Sequence, residues 1–235
     1  METLLKIEHL DTYYGESQIL RNINLQIRKG AITTIMGRNG VGKSTLLKTL
    51  TGLLKAAKGK ILYKGNDITE ETTDKRARSG IGYVPQGREI FPKLSVFENL
   101  QLGLEARRDR LRKVPEDEIY ELFPVLGQMK KRMGGNLSGG QQQQLAIARA
   151  LVGKPDVLLL DEPTEGIQPS IIDDIETVLK KLKNSGEYSI ILVEQSLDFA
   201  REVTDHYYIL ERGSVVLEGA AEELSDDHLK RYLTF

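Results

Sequence analysis

The chain of 235 residues has no cysteine, no tryptophan and three histidines. Without thiols there are no disulfides and no thiolate metal sites, and three scattered histidines do not make a zinc centre. Long apolar runs are missing too. No stretch approaches the roughly 18 uninterrupted apolar residues of a membrane-spanning helix. The amino-terminal segment Met1-Glu2-Thr3-Leu4-Leu5-Lys6 lacks the apolar region of a secretory signal. Neither sign of charge is in excess: 33 Lys and Arg stand against 34 Asp and Glu, a net charge of −1. That balance argues against nucleic acid bound over the whole surface. A soluble, cytosolic protein is expected, reaching a membrane only through a partner.

What is present is a core-forming α/β pattern. Apolar residues make up 40% of the chain, and the length suits one large domain with room for a subdomain. Apolar, β-branched runs alternate with helical stretches. Leu4–Leu10 and Leu20–Ile27 read as an antiparallel flank, with Gly15 and Gly30 as punctuation. Ile32–Met36, Lys60–Tyr63, Gly82–Val84, Val157–Leu160 and Ile190–Val193 read as further strands. His206–Leu210 and Val215–Leu217 flank a turn at Arg212-Gly213. Helices are expected at Lys43–Thr51, Val96–Arg112, Pro115–Gln128, Gln141–Val152 and Ile171–Leu182, with a short amphipathic tail over the last fifteen residues. No strand pattern interrupts the middle of the chain. Residues 87–154 therefore read as a helical subdomain inserted into a core made of 1–86 and 155–235.

Two phosphate-holding patterns stand out. Gly37-Arg38-Asn39-Gly40-Val41-Gly42-Lys43-Ser44-Thr45 follows a strand and opens a helix, the context a P-loop requires. The glycines let the backbone curl so that several N–H groups point inward, and the helix terminus adds partial positive charge. Lys43 supplies a point charge for the β- and γ-phosphates, Ser44 an oxygen for Mg²⁺, and Thr45 lies near the α-phosphate. Asp161 ends an apolar strand, as a magnesium-side carboxylate does. Glu162, beside it, can orient or deprotonate a water. The second pattern is Leu137-Ser138-Gly139-Gly140-Gln141 at the mouth of another helix. By itself Ser138 reads as a helix cap. The same geometry aims a hydroxyl and free N–H groups at an anion, and without a lysine it suits a phosphate already held elsewhere.

In order and spacing, Gly37–Thr45, Gln86, Leu137–Gln141 and Val157–Glu162 resemble the ABC-type ATPases over essentially the whole chain. The resemblance implies an α/β fold, a P-loop NTPase core of ABC type with an antiparallel β flank and an inserted helical subdomain. It implies ATP and Mg²⁺, hydrolysis to ADP and phosphate, and a head-to-tail dimer. In that dimer each ATP lies between one subunit's P-loop and Ser138, Gly139, Gly140 and Gln141 of the other. By matching, Tyr14 is expected to turn inward and stack on adenine, with Tyr13 beside it. Gln86 is expected to sense Mg²⁺ and water, so the metal set is Ser44, Gln86 and Asp161. Gln195 aligns with the family's usual switch histidine: neutral glutamine donates a hydrogen bond to a γ-phosphate oxygen but carries no proton. Gln168 aligns with a usual Asp. Lys43, Gln86, Glu162 and Gln195 are the expected catalytic set.

Val84-Pro-Gln-Gly-Arg-Glu-Ile-Phe-Pro, Glu162-Pro-Thr-Glu-Gly-Ile-Gln-Pro and Leu192-Val-Glu-Gln resemble ATP-binding subunits of branched-chain amino-acid and urea importers. Leu122-Phe-Pro-Val-Leu, the run after Leu137 and Gly166-Ile-Gln-Pro-Ser look closest to the urea subunit. The resemblance implies integral-membrane permease subunits, a second ATPase subunit (copy or paralogue), an extracytoplasmic solute-binding protein, and a peripheral place on the cytoplasmic face of the inner membrane. The different-class alternative is a soluble ABC ATPase acting as an assembly scaffold. Ile90, Phe91, Leu94, Val96 and Phe97 form an apolar cluster. Val96 and Phe97 are expected in the core, and Ile90 and Phe91 near a groove for a permease helix. The basic runs Arg107–Lys113 and Lys130–Arg132 read as solvated faces rather than lipid contacts.

Overall fold

The computed structural model describes residues 2–109 and 112–223. In chain order the elements are β1 (Thr3–Tyr14), β2 (Ser17–Arg28), β3 (Ile32–Met36), α1 (Lys43–Leu50), β4 (Ala56–Tyr63), β5 (Asn66–Asp67), α2 (Thr73–Ser79) and β6 (Ile81–Val84). There follow α3 (Val96–Leu102), α4 (Glu116–Leu122), α5 (Pro124–Gln128), α6 (Gly139–Val152), β7 (Val157–Asp161), α7 (Pro169–Ser185), β8 (Ser189–Glu194), α8 (Leu197–Val203), β9 (His206–Glu211) and β10 (Ser214–Ala220).

The strands form two sheets. One has the order β2-β1-β4-β5 and is antiparallel; the other has the order β10-β9-β3-β8-β7-β6. From β9 to β6 the second sheet is parallel, and β10 closes its edge by an antiparallel hairpin. Side chains alternate across this central sheet. Leu158, Leu160, Ile190 and Leu192 face a core shared with α6 and α7. Val157, Leu159, Ile191 and Val193 face a second core with α1 and the antiparallel sheet. A strand buried on both faces reads as a continuous apolar run, which is why β7 and β8 are visible in the sequence.

The connection between β6 and β7 departs most from expectation. The helix expected over Val96–Arg112 ends at Leu102 and continues only as a short 3-10 turn, Gly103–Ala106. A Cβ on Gly103 would lie 2.2 Å from the Arg149 carbonyl oxygen, so the turn is pressed against α6. The helix expected over Pro115–Gln128 breaks in two at Phe123, whose non-helical backbone (φ −131°, ψ 74°) precedes Pro124; proline disfavours the helical conformation in the residue before it. α6 starts at Gly139, two residues earlier than expected. Arg107 and Arg108 are not a solvated helix face. Arg107 pairs with Asp109 and bonds the Val152 carbonyl, while Arg108 pairs with Asp156. Of the expected tail over the last fifteen residues, Ala221–Glu223 form a 3-10 turn and the rest lies outside the described residues. α2, α8 and the two-residue β5 have no counterpart in the sequence reading.

Candidate functional site

The carboxyl ends of β3, β8 and β7 lie side by side, with Met36 opposite Glu194 and Asp161 opposite Val193. In open α/β sheets this edge is where ligands bind. The chain leaves β3 at Gly37 (φ 152°), where a Cβ would lie 2.5 Å from the Leu210 carbonyl oxygen, and enters α1 through Gly42 (φ 109°). Between them the loop borders a cavity of about 380 Å³ lined by Asn39, Gly40, Gly42, Lys43, Ser44, Thr45, Ile19, Gln86 and Glu162. Arg38 is exposed and Val41 half-buried in the same loop.

Lys43 Nζ, 4% exposed, donates to the carbonyl oxygens of Gly37 (2.8 Å) and Arg38 (3.0 Å) and lies 3.6 Å from Glu162 Oε1. Burial lowers its pKa, against the opposing pull of Glu162. Ser44 Oγ donates to Asp161 Oδ1 at 3.0 Å, and the Tyr83 hydroxyl reaches Asp161 Oδ2 at 3.4 Å. Burial raises the Asp161 pKa above the usual carboxylate range. This hydroxyl–carboxylate pair fits a hard cation that takes its remaining ligands from phosphate and water. Among the described residues no group of three or more His, Cys, Asp or Glu could hold a metal alone.

Glu162 collects the remaining polar groups. Gln195 Nε2 donates to its Oε1 at 2.7 Å and Gln86 Nε2 to its Oε2 at 3.1 Å; Gln86 also donates to Glu165 at 2.8 Å. Glu162 has φ 49° and its N–H donates to the Val193 carbonyl. A non-glycine residue in that backbone region is uncommon and points to a constrained site.

Other residues singled out in the sequence lie elsewhere. Ser138, Gly139, Gly140 and Gln141 do not line the cavity. Ser138 and Gln141 form a reciprocal capping box at the start of α6, while Gly140 packs against Ile171 of α7. Tyr14 ends β1 with its ring 45% exposed, and Tyr13 is half-buried. Tyr14 is outside the cavity lining, so in this structure the ring lies open rather than turned in. Gln168 is exposed just before α7.

Sequence reasoning missed Ile19, which stands just before the expected strand Leu20–Ile27, and Tyr83, which reads as an ordinary strand residue. It also missed Glu194. Its buried carboxylate is visible only as an acid ending an apolar run.

A second groove, about 470 Å³, lies between α2, β6 and the α3–α6 region. Leu53, Phe91 and Leu102 line it at 56, 50 and 39% exposure. Arg149 stands 5.5 Å over the Phe91 ring and donates to the carbonyl oxygens of Arg88 and Glu89. Val96 is core, and Phe97 packs half-buried against it. Ile90 does not line the groove: it turns into the core beside Gly134. Leu94 is half-buried outside the groove.

The ABC transporter family model matches residues 20–165. Among curated relatives, the high-affinity branched-chain amino acid transport ATP-binding protein BraG of Pseudomonas aeruginosa is 41% identical over 93% of this chain and 94% of its own length. The probable branched-chain amino acid transport ATP-binding protein LivF of Archaeoglobus fulgidus is 38% identical over 94% of each. A dimeric ATP-binding cassette solved in a post-hydrolysis state with ADP and Pi superposes with a TM-score of 0.82 at 28% identity, covering 94% of this chain and all of that one. The chain belongs to the ABC transporter family. It is an ATPase that uses ATP with Mg²⁺.

Proposed function

We propose that this chain is the ATP-hydrolysing subunit of an importer for branched-chain amino acids. The solute rests on the two relatives described above, each named for branched-chain amino acids and more similar than the lipopolysaccharide-export relatives at 33% identity; this reverses the preference for urea drawn from the short motifs. It works as a head-to-tail dimer of ATPase subunits on permease subunits at the cytoplasmic face of the membrane, with a solute-binding protein on the other side. Among the described residues no helix is long and apolar enough to cross a membrane, which agrees with attachment through the permease.

The observation that carries the mechanism is the convergence on Glu162 of Gln86, Gln195 and Lys43 at the mouth of the P-loop cavity. Lys43 is held by the neutral Gly37 and Arg38 carbonyls, so phosphate oxygens would replace them with negatively charged acceptors and a stronger ion pair. Ser44 and Asp161 would hold Mg²⁺, which neutralises developing phosphate charge when bound. Gln86 and Gln195 hold both Glu162 oxygens at the mouth of the cavity, where the carboxylate would orient a water for attack on the γ-phosphate. Tyr14 supplies an open ring for adenine. Ser138 and Gly140 approach the partner's nucleotide, so ATP closes the dimer and hydrolysis opens it.

Glu162→Gln keeps the shape and removes the base. Its turnover should fall about 100-fold or more while ATP binding persists and an ATP-bound dimer accumulates on size exclusion. Wild-type-like turnover would falsify the assignment. Uptake of labelled leucine against labelled urea by the assembled transporter separates the two solutes. Failure to co-purify with any integral membrane protein would favour the scaffold reading.

A further inference from the structure

Glu194 is the last residue of β8, 2% exposed, and has no role in the chemistry above. A buried carboxylate persists only where hydrogen bonds replace its water, and here they come from two different loops. Oε1 accepts from Thr164 N (3.2 Å) and Thr164 Oγ1 (2.6 Å), both on the segment joining β7 to α7. Oε2 accepts from Gln195 N (2.9 Å) and Ser196 N (3.0 Å), on the turn joining β8 to α8. Thr164 lies between Glu162 and Glu165, the two carboxylates that Gln86 bonds. The Gln195 amide that Glu194 holds belongs to the residue whose side chain bonds Glu162. Both ends of the Gln195–Glu162 bond are therefore anchored to one buried carboxylate.

We propose that Glu194 is a positioning residue that clamps the loop bearing Glu162 to the loop bearing Gln195, so that the two move as one unit during ATP hydrolysis. The clamp rests on the reading of Glu162 as the water-handling group. It needs both carboxylate oxygens. An amide at position 194 keeps one acceptor and turns an N–H₂ toward N–H donors on the other side, releasing one loop. An aspartate is too short to span the gap.

The test uses the full-length chain, with steady-state ATPase rates and the affinity for a fluorescent ATP analogue measured side by side. In E194Q, kcat should fall at least tenfold while analogue affinity stays within about threefold. Thr164→Val removes the hydroxyl donor and should lower kcat; Thr164→Ser keeps it and should restore the rate. The double variant E194Q/T164V should lose little beyond E194Q alone, because one linkage is being cut twice. Should E194Q not fold, the contrast between T164V and T164S carries the test. Unchanged kcat in E194Q, fully additive losses in the double variant, equal rates in T164V and T164S, or affinity falling in step with kcat would each overturn the clamp. An inactive E162Q beside a fully active E194Q removes the clamp and leaves the reading of Glu162 standing. An active E162Q removes both.

Discussion

Gly140 shows how a correctly noticed residue can carry more than one reason. Beside Ser138 and Gly139 it reads as room for an approaching phosphate. In the structure a Cβ at Gly140 would lie 2.8 to 3.1 Å from three atoms of Ile171, so the glycine also sets how closely α6 packs on α7. At Gly139 the nearest atom would be the flexible guanidinium of Arg88, at 3.0 Å. Gly140→Ala should therefore cost about 1–3 kcal/mol of stability and Gly139→Ala distinctly less, as measured by urea unfolding. Adding Ile171→Ala to Gly140→Ala should recover part of the loss. Equal stability of the two glycine variants would show that α6 and α7 separate freely there. The loop from Gly37 to Thr45 was legible because its glycines, lysine and hydroxyls stand at a fixed local spacing, and the structure gathers them around one cavity. Glu194 was not, because its four donors come from residues as many as thirty positions away in sequence, and no local spacing records such a meeting.

At the scale of elements, the buried strands were visible and α2 was not. Thr73–Ser79 has almost no apolar periodicity. It is fixed instead by Arg76, 2% exposed, whose guanidinium donates to the carbonyls of Thr49 and Leu50 at the end of α1 and to those of Thr69 and Glu71. An arginine that satisfies the terminal carbonyls of another helix leaves no hydrophobic pattern behind. Asp156 makes a similar junction just before β7. It accepts from the Tyr63 hydroxyl at the end of β4, from Lys64 and from Arg108. Burial alone would raise its pKa, but the hydrogen bonds from Arg108, Lys64 and Tyr63 prevail and hold it below the usual value of 3.8. A depressed carboxylate contributes stability that is complete above the unfolded-state pKa and is lost as pH falls through the folded one. Asp156→Asn should thus cost about 1–3 kcal/mol at neutral pH. The gap to wild type should close as pH drops below 3.8, followed by thermal or urea unfolding across pH. A gap that does not vary with pH would mean that the pairing charge is not what holds β4 to this junction.

At the scale of the whole molecule, the P-loop cavity and the groove are two openings joined by one short loop. Gln86 bonds Glu162 and Glu165 at one end. Phe91 lies in the groove at the other, and Arg88 and Glu89 between them have positive φ (64° and 46°) and are held through their carbonyls by Arg149. The apolar cluster was legible as composition, but its division was not: Ile90 and Phe91 are neighbours, yet Ile90 packs on the core and Phe91 lies in the groove. Because Leu53, Phe91 and Leu102 come from three separate parts of the chain, the groove is a product of the fold and of no single segment. We propose that an apolar permease helix occupies it, so that nucleotide-dependent movement of Gln86 reaches the membrane. Phe91→Asp should leave the isolated chain's ATPase rate within about twofold and cost about 1–2 kcal/mol of stability, for the buried half of the ring and its Arg149 contact. Permease co-purification and coupled uptake should both be lost. Val96→Asp, at a position with no exposure, should instead destabilise the chain itself, which separates a docking defect from a folding one. If Phe91→Asp retains coupled transport, the loop from Gln86 to Phe91 is not the route by which the ATP site drives its partner.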